Sequence, residues 1–272
     1  MNRLTNVSFV VPVRIDSYER SRNLDLILDF IVQNFDSKIF VLESDSQQKY
    51  QIKINNKQIK YIFVKDDKFI FHHTICLNYL YKHVDTPIIV GLDTDIIVPP
   101  EQIIEVVDQI ECGKAIIGLP YNGLMYNSGP TYTRLFETSR NINALTSNIP
   151  YMYPMYGSLS LGGAFIVDTK EYLKSGGDNQ YFLGWGPEDF ERVKRIEILY
   201  PHKIIYKSSG CIFHLWHPRM HNSKYADLNY EQLGKQEYLK ICSMEMNELR
   251  TYIDRWPWLE SLNEKFNKKQ YL

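Results

Sequence analysis

The stretch IIVGLDTD at residues 88–95 combines an uninterrupted apolar run with two aspartates at its end. An apolar run without polar alternation is typical of a strand buried on both faces of a parallel sheet. Side chains two positions apart on an extended segment point the same way, so Asp93 and Asp95 can direct two carboxylates to one point beyond the strand. Open α/β sheets bind ligands at this edge. The stretch therefore predicts a buried strand that ends at a ligand site.

The paired aspartates have two interpretations. Taken alone, they are explained by a turn that ends the strand, because short motifs often match by chance. Two carboxylates at a sheet edge are also the ligands that Mg²⁺ or Mn²⁺ prefers, and these ions commonly bind together with substrate phosphates. Other parts of the chain must decide between a turn and a metal site.

The segments around residues 88–95 alternate between strand and helix patterns. Strands are predicted at residues 7–13, 39–42 and 58–64, which are rich in apolar residues. Helices are predicted at residues 19–35 and 74–83, where apolar residues recur at helical spacing. This order predicts an α/β fold with a Rossmann-like, mostly parallel central sheet flanked by helices.

The second half of the chain has three predicted parts. Residues 115–119 and 162–167 predict further strands, and a helix is predicted to begin near Pro100. Residues 120–160 are rich in tyrosine and show little periodicity, which predicts a long irregular segment. After residue 229 the sequence has a helical, amphipathic pattern.

Composition and charge exclude several classes of protein. The chain has 272 residues, of which 44% are hydrophobic and 23% are charged, as in ordinary globular domains. A formal net charge of -1 gives no basic field, so no nucleic-acid partner is expected. No apolar run is long enough to span a bilayer, and the first residues lack the apolar core of a signal peptide. We therefore expect a cytoplasmic protein.

Polar residues also follow the first two predicted strands. Pro12 and Arg14 end the first strand, and Glu43 and Asp45 end the second. An arginine can bind phosphate through two hydrogen bonds, and a carboxylate can accept from a base or from ribose hydroxyls. A nucleotide could bind at this edge, but for these residues taken alone solvated loop charges are the favoured explanation.

The stretch GWGPEDFE at residues 184–191 places an indole between two glycines, followed by acids at a predicted helix start. Acids in a first turn complement the helix dipole, which is a sufficient structural explanation. Glycines beside Trp185 also let the backbone approach a ligand, while the indole offers a stacking face. Asp189 could take a proton from a sugar hydroxyl.

Two further segments carry aromatic and histidine side chains. Phe71 and His73 lie at a predicted helix start, where they could flank a nucleotide or belong to the core and the surface. Taken alone, His214 is explained as a packed or surface histidine, but it could also complete a mixed oxygen and nitrogen ligand set for Mn²⁺ with Asp93 and Asp95. His217 and His221 are the alternatives to it.

In their order along the chain, these segments resemble the GT-A-type nucleotide-sugar glycosyltransferases. The resemblance is to the branch that holds the β-1,4-galactosyltransferases, the chondroitin-polymerase type enzymes and bacterial family-2 enzymes with a galactosyltransferase-like C-terminal half. It covers residues 7–221. The features that carry it are Pro12-Val13-Arg14, residues 71–78, Asp93-Thr94-Asp95, Gly162-Gly163, and GWGPEDFE followed by His214.

The resemblance implies a role for each matching residue. Asp95 and His214 would bind Mn²⁺ or Mg²⁺, and Asp93 would hold the ribose or a metal-bound water. The residues implied to hold the UDP-sugar are Pro12, Arg14, Glu43, Asp45, Phe71, His73, Asn78, Asp93 and Gly163. Trp185, Gly186 and Glu188 would bind the acceptor, and Asp189 would be the catalytic base.

Two positions depart from the family pattern. His73 stands where relatives often have arginine, which puts its phosphate contact in question, and Pro187 fills a position that is often glycine. Retaining relatives usually carry Glu-Asn where this chain has Glu188-Asp189. An aspartate supplies the base that inversion needs, so inversion is expected.

The resemblance implies an inverting, metal-dependent glycosyltransferase that moves a hexose or N-acetylhexosamine, with galactose-type favoured, from a UDP-sugar. The implied acceptor is a hydroxyl of an oligosaccharide or lipid-linked glycan in cell-surface polysaccharide synthesis. A sugar-1-phosphate nucleotidyltransferase is an alternative, but it needs a glycine-rich basic loop that residues 10–21 lack. A non-catalytic carbohydrate-binding protein is the other alternative.

The same resemblance implies a domain organisation. Residues 1–228 would form the glycosyltransferase domain, with a nucleotide-binding half at residues 1–100 and an acceptor and catalytic half at residues 101–228. Residues 229–272 would form a helical extension packed on this domain. A peripheral contact of this extension with the inner face of a membrane is an alternative to ordinary packing.

Overall fold

The computed structural model of the protein describes residues 4–220 and 228–268. Its strands are β1 (Val7–Val13), β2 (Lys38–Asp45), β3 (Ile59–Lys65), β4 (Ile88–Leu92), β5 (Ile96–Ile97), β6 (Ala115–Leu119), β7 (Met125–Asn127), β8 (Tyr153–Pro154), β9 (Ala164–Asp168), β10 (Ile204–Lys207) and β11 (Ile212–His214). Its α-helices are α1 (Tyr18–Asn34), α2 (His73–Tyr81), α3 (Pro100–Glu111), α4 (Gly129–Ser139), α5 (Asn143–Thr146), α6 (Thr169–Lys174), α7 (Glu188–Leu199), α8 (Leu228–Cys242), α9 (Met246–Ile253) and α10 (Leu259–Lys268). Within these described ranges, no helix has both the length and the apolar character needed to cross a membrane.

Seven strands form the central sheet in the order β10-β6-β9-β4-β1-β2-β3. The pairs β4-β1, β1-β2, β2-β3 and β10-β6 are parallel, whereas β9 runs antiparallel to both of its neighbours. Strands β1 and β4 are buried along their whole length, as their apolar runs predict. The predicted fold class, a mostly parallel α/β sheet flanked by helices, is confirmed.

The reversed strand β9 brings two glycines to the edge of the sheet where β1 and β4 end. Leu92, the last residue of β4, pairs with Ala164, the first residue of β9. The glycines that precede β9 therefore lie beside the aspartates that follow β4. The backbone N–H of Asp93 donates to the carbonyl of Gly163 over 3.0 Å.

A second, four-stranded sheet has the order β5-β11-β7-β8. Strand β5 directly follows the D-x-D segment and pairs antiparallel with β11, so that Ile96 is opposite His214. The backbone N–H of Leu215 donates to the carbonyl of Asp95 over 2.7 Å. The pairing in this small sheet therefore places His214, which is distant in the sequence, next to the D-x-D segment.

The prediction of an irregular segment at residues 120–160 was wrong in part. This segment contains β7 and the 11-residue helix α4, as well as shorter elements. The helix buries only Thr133 and Phe136, so its apolar face is too narrow to produce a clear periodic signal. Residues 155–163 have no regular structure, and most of them line the cleft described below.

The C-terminal helices pack on α6 and α7. Trp256 and Trp258 are buried, and the indole Nε1 of Trp258 donates to the carbonyl of Gly176 over 3.0 Å. Gly176 has a φ of 102°, and a Cβ there would lie 2.4 Å from the Trp256 ring. The division into a domain at residues 1–228 and an extension at residues 229–272 stays a prediction.

Candidate active site

A cleft of about 990 Å³ lies at the edge of the central sheet where β1 and β4 end. Its walls come from the loop before α2, from residues 155–163, from the loop before α7 and from the segment after β11. The predicted site residues that line it are Pro12, Arg14, Phe71, His73, Asp93, Asp95, Gly163, Trp185, Gly186, Glu188, Asp189 and His214. The fold thus brings most of the candidate residues together.

Glu43 and Asp45 do not line this cleft. Strand β2 continues to Asp45, so Glu43 lies inside the strand and is fully buried. Its carboxylate accepts from the backbone N–H groups of Lys49 and Tyr50 and from the hydroxyl of Tyr61. The Nζ atom of Lys49 lies 2.7 Å from Oδ2 of Asp45. Both carboxylates are therefore taken up by structural contacts.

Asn78 also lies outside the cleft lining, although the family resemblance implied that it contacts the UDP-sugar. Its side-chain amide donates to the carbonyl of Asp178 over 2.7 Å and accepts from the N–H of the same residue over 2.8 Å. This two-way contact joins α2 to the loop after α6. Asn78 therefore has a structural role, because it fixes the backbone of Asp178.

Asp95, His214 and His217 form a compact group whose candidate ligand atoms all lie within 4.8 Å of one another. Oδ2 of Asp95 lies 3.0 Å from Nε2 of His217, and Oδ1 lies 3.7 Å from Nε2 of His214. Ligands bound ~2.1 Å from one ion at right angles are roughly 3 Å apart, so this group suits a divalent ion. His217, an alternative in the sequence analysis, therefore joins His214, whereas His221 lies outside the described residues.

The chemistry of the three side chains fits a metal. Nδ1 of His217 lies 2.8 Å from the carbonyl oxygen of Pro218, and a proton held there leaves Nε2 as the ligand. Burial holds the pKa of His214 below its ordinary value although Asp95 acts in the opposite direction, which favours the neutral imidazole that metals bind. Burial opposes the ionisation of Asp95, but His214, His217 and Arg20 outweigh it and lower its pKa.

Arg20, in the first turn of α1, is a cleft residue that the sequence analysis did not identify. Its Nη1 lies 3.1 Å from Oδ2 of Asp95, and its Nε lies 2.8 Å from Oδ1 of Asp16. An aspartate four residues before an arginine is the usual pattern of a surface ion pair, so the sequence contains no signal for this contact. The contact places a buried cation beside the carboxylate of the candidate metal group.

Asp93 differs from Asp95 in its surroundings. Its side chain is 45% exposed, whereas that of Asp95 is 6% exposed, and its Oδ1 lies 3.3 Å from Nε2 of His73. The chain leaves the extended conformation after Leu92, so the strand geometry from which the sequence predicted a common direction for the two carboxylates does not apply to them. Burial lowers the pKa of His73, but the Asp93 carboxylate outweighs it and the net shift is upward.

Arg14 shapes one wall of the cleft. Its Nε donates to the carbonyl of Ser44 over 2.7 Å, and its Nη1 donates to the carbonyl of Lys68 over 2.9 Å. Its Nη2 lies 3.1 Å from Oδ2 of Asp66, and its guanidinium lies 5.4 Å from the centroid of the Phe71 ring. Arg14 therefore holds the loop that presents Phe71 and His73.

Glu188 and Asp189 open helix α7, as predicted. Glu188 is buried, and its Oε2 has no hydrogen-bond partner among the described residues. Burial, together with the neighbouring Asp189 carboxylate, raises the pKa of Glu188 above its ordinary value near 4.5, against the influence of His73. A buried acceptor in the cleft wall without a protein partner is suited to a hydroxyl of a ligand.

Asp189 is held between a buried arginine and a glycine. Oδ1 of Asp189 lies 2.6 Å from Nη1 of Arg192, while 28% of its side chain is exposed. A Cβ at Gly162 would lie 2.2 Å from Oδ2 of Asp189, so only glycine leaves room for the carboxylate. Trp185, which is 43% exposed, lines the same part of the cleft.

Comparison with known proteins identifies the fold. No protein-family model and no curated protein sequence matches the chain. Glucosyl-3-phosphoglycerate synthase from Mycobacterium tuberculosis, in complex with Mn²⁺, UDP and phosphoglyceric acid, is similar with a TM-score of 0.52 and 13% identity, over 88% of this chain and 78% of that chain. The complex of that enzyme with Mn²⁺, UDP-glucose and phosphoglyceric acid gives a TM-score of 0.52 and 14% identity, over 88% of this chain and 80% of that chain.

A further similar structure is the catalytic domain of Drosophila β1,4-galactosyltransferase 7 in complex with xylobiose. It has a TM-score of 0.49 and 16% identity, over 91% of this chain and 84% of that chain. The central sheet and the similarity to the M. tuberculosis synthase show that the chain has the fold of the GT-A glycosyltransferases, as the sequence resemblance implied. The branch within this class stays a prediction.

Proposed function

We propose that the protein is a metal-dependent glycosyltransferase that uses a UDP-sugar as donor. The observation that supports this most is that one cleft holds both the Asp95, His214 and His217 group and the carboxylate of Asp189. The M. tuberculosis synthase of the same fold is described in complex with Mn²⁺ and UDP-glucose. A carbohydrate-binding protein without catalysis would need neither group.

Asp95, His214 and His217 would hold Mn²⁺ or Mg²⁺. One carboxylate and two neutral imidazoles form a mixed donor set that suits Mn²⁺ well. When bound, the ion would neutralise charge on the diphosphate leaving group. The Arg20 guanidinium lies 3.1 Å from Asp95, and after His214 and His217 it is one of the groups that lower the pKa of this carboxylate.

The donor would lie along the edge formed by β1 and β4. His73 would donate a ring N–H to phosphate, Phe71 would offer an aromatic ring beside the base, and the exposed Asp93 carboxylate would accept from ribose. Gly163 would lie beneath the donor sugar; its φ is 85°, and a Cβ there would lie 2.9 Å from Cε of Met125, so this position requires glycine. Glu43, Asp45 and Asn78 have no part in this donor site.

In this proposal Asp189 acts as the base. The acceptor oxygen forms a bond to the anomeric carbon while the bond from that carbon to the diphosphate oxygen breaks. UDP leaves with the bonding electron pair, and the acceptor proton passes to the Asp189 carboxylate. Attack from the face opposite the leaving group inverts the anomeric configuration. Glu188 would bind the acceptor hydroxyl, and Trp185, with Gly186 beside it, would stack on a sugar ring.

The finer assignments are also part of this proposal. The donor sugar would be a hexose or N-acetylhexosamine, with galactose-type favoured by the sequence resemblance. The acceptor would be an oligosaccharide or a lipid-linked glycan in cell-surface polysaccharide synthesis. We propose a cytoplasmic location, with the C-terminal helices as the part that could contact the inner face of a membrane.

An assay of UDP release tests the proposal. UDP-glucose, UDP-galactose and their N-acetylated amino forms would each be incubated with the protein and Mn²⁺, with water or disaccharides as acceptors. We expect one donor to turn over, and the turnover to stop when EDTA removes the metal. Sugar binding without any turnover would favour the carbohydrate-binding alternative. Consumption of UTP together with a sugar 1-phosphate would favour a nucleotidyltransferase.

A further inference from the structure

Helix α7 buries two arginines, and of these two only Arg192 contacts a residue that lines the cleft. Arg192 and Arg195 have relative exposures of 1% and 0%. Arg195 pairs with Glu191 one turn earlier, at 2.8 Å, and donates to the carbonyl of Ser175 over 2.6 Å. These contacts give Arg195 a structural role in the packing of α7. Arg192 differs because one of its nitrogens binds Asp189.

The position of Arg192 is fixed from three sides. Its Nε and Nη2 donate to Oδ1 of Asp178 over 3.0 and 2.7 Å, and its Nε also donates to the hydroxyl of Tyr172 over 3.0 Å. Its guanidinium carbon lies 4.0 Å from the centroid of the Phe165 ring, in β9. Arginine presents its donors in a rigid planar fork, so these contacts also fix the direction of the remaining nitrogen.

The anchor of Arg192 is itself buried and fixed. Asp178 has a relative exposure of 2%, and its Oδ2 accepts from the hydroxyl of Tyr81 over 2.5 Å. The backbone of Asp178 is held on both sides by the side chain of Asn78. A continuous chain of contacts therefore runs from α2 through Asp178 and Arg192 to the cleft.

The end of this chain is the carboxylate of Asp189. Nη1 of Arg192 binds Oδ1 at 2.6 Å, and Oδ2 lies against the backbone of Gly162. We propose that Arg192 is a positioning residue, which orients the Asp189 carboxylate so that its second oxygen faces the acceptor. The catalytic part of this inference rests on the function proposed above. The geometric part, that Arg192 fixes Asp189, stands on the contacts alone.

Kinetics of matched variants test the catalytic part. Arg192→Met and Arg195→Met each remove a buried guanidinium from the same helix, so we expect similar losses of thermal stability. Arg192→Met should lower kcat for UDP release about 100-fold with an unchanged KM for the donor, because displacement of a catalytic group by ~1 Å has effects of this size. Arg192→Lys should recover part of the rate, and Arg195→Met should keep the wild-type kcat. Equal losses of kcat in Arg192→Met and Arg195→Met would overturn the proposal.

Crystal structures of the same variants test the geometric part. In Arg192→Met we expect Asp189 to rotate away from Gly162 or to occupy several conformers, and in Arg195→Met we expect it to stay in place. An unmoved Asp189 in Arg192→Met would overturn the inference. If the wild-type protein released UDP from no UDP-sugar, the proposed function would fail, and this structural comparison would still decide the role of Arg192.

A second variant covers the case that Arg192→Met does not fold. Asp178→Asn keeps Arg192 and Asp189 but weakens the anchor that holds Arg192 in place. We expect a displaced Asp189 and a kcat between those of the wild type and of Arg192→Lys. A wild-type position of Asp189 and a wild-type kcat in Asp178→Asn would contradict the anchoring role.

Discussion

Oδ2 of Asp95 lies 3.0 Å from Nε2 of His217, which is shorter than the 3.7 Å between Oδ1 of Asp95 and Nε2 of His214 at the end of β11. The contact exists because β5 pairs with β11 immediately after the aspartates. It makes His217 a partner of His214 in one group instead of its alternative. The candidate metal site of the cleft therefore consists of two histidines and one carboxylate.

Both histidines should contribute to metal binding. We expect His214→Ala and His217→Ala each to raise the Kd for Mn²⁺ at least about tenfold, because each removes a nitrogen ligand. Isothermal titration calorimetry with MnCl₂ measures this directly. His202→Ala changes an exposed histidine outside the cleft and is the matched control. A wild-type Kd for Mn²⁺ in His217→Ala would contradict the assignment of His217 as a metal ligand.

Asp189 should be needed for turnover but not for donor binding. Asp189→Asn keeps the size of the side chain and removes its ability to take a proton. We expect kcat for UDP release to fall by ~10²–10⁴ while the Kd for UDP in the presence of Mn²⁺ stays unchanged. Steady-state kinetics and calorimetry measure the two quantities. An unchanged kcat would show that another group is the base.

Gly162 should be needed for the position of the Asp189 carboxylate. A Cβ at this residue would lie 2.2 Å from Oδ2 of Asp189, so Gly162→Ala must push the carboxylate aside. Because a carboxylate at the end of a side chain can move, we expect the protein to fold and kcat to fall about 100-fold. Gly157→Ala is the control, since a Cβ there meets nothing within 4 Å. Equal activity of the two variants would contradict the predicted displacement.

Glu188 should make the stability of the protein depend on pH. Its pKa in the folded protein is raised above the ordinary value near 4.5 by burial and by Asp189. The folded state therefore favours the protonated acid, and this stabilisation is complete below the unfolded pKa and is lost as pH rises through the folded pKa.

Urea unfolding at about pH 5 and about pH 8 measures this effect. Glu188→Gln stays neutral, so we expect its free energy of unfolding to fall less between the two pH values than that of the wild type. Other titrating groups contribute to both proteins and cancel in the difference. Glu197→Gln, which changes a glutamate of the same helix outside the cleft, should keep the wild-type difference. Identical differences in Glu188→Gln and the wild type would contradict the raised pKa.

Much of the fold follows from local sequence patterns. The apolar run at β4 and the acids at the start of α7 predict elements that the structure contains with nearly the same bounds. These features depend on burial of a whole strand and on the first turn of a helix, which are local properties. The strand at β9 was also predicted, but its antiparallel direction and the helix α4 required knowledge of partners that are distant in the chain.

Other features could not be predicted because they depend on tertiary contacts. In the sequence Glu43 directly follows an apolar run, yet its carboxylate accepts hydrogen bonds from Tyr50 and Tyr61, which come from later segments. Arg192 lies in a charged stretch that is typical of a solvated helix face. One signal was present, since Glu188, Arg192, Arg195 and Leu199 recur at the spacing of a buried face.

The central claim is that the cleft binds UDP together with a divalent metal ion. Its most direct test is an isothermal calorimetric titration of UDP into the protein with and without Mn²⁺. We expect UDP to bind one site per chain when Mn²⁺ is present, and to bind far more weakly when EDTA removes the ion. Asp95→Ala should lose the dependence on Mn²⁺, whereas Asp29→Asn, which alters an acid paired with Arg140 outside the cleft, should keep it. No UDP binding in the presence of Mn²⁺, or equal binding with and without it, would contradict the account.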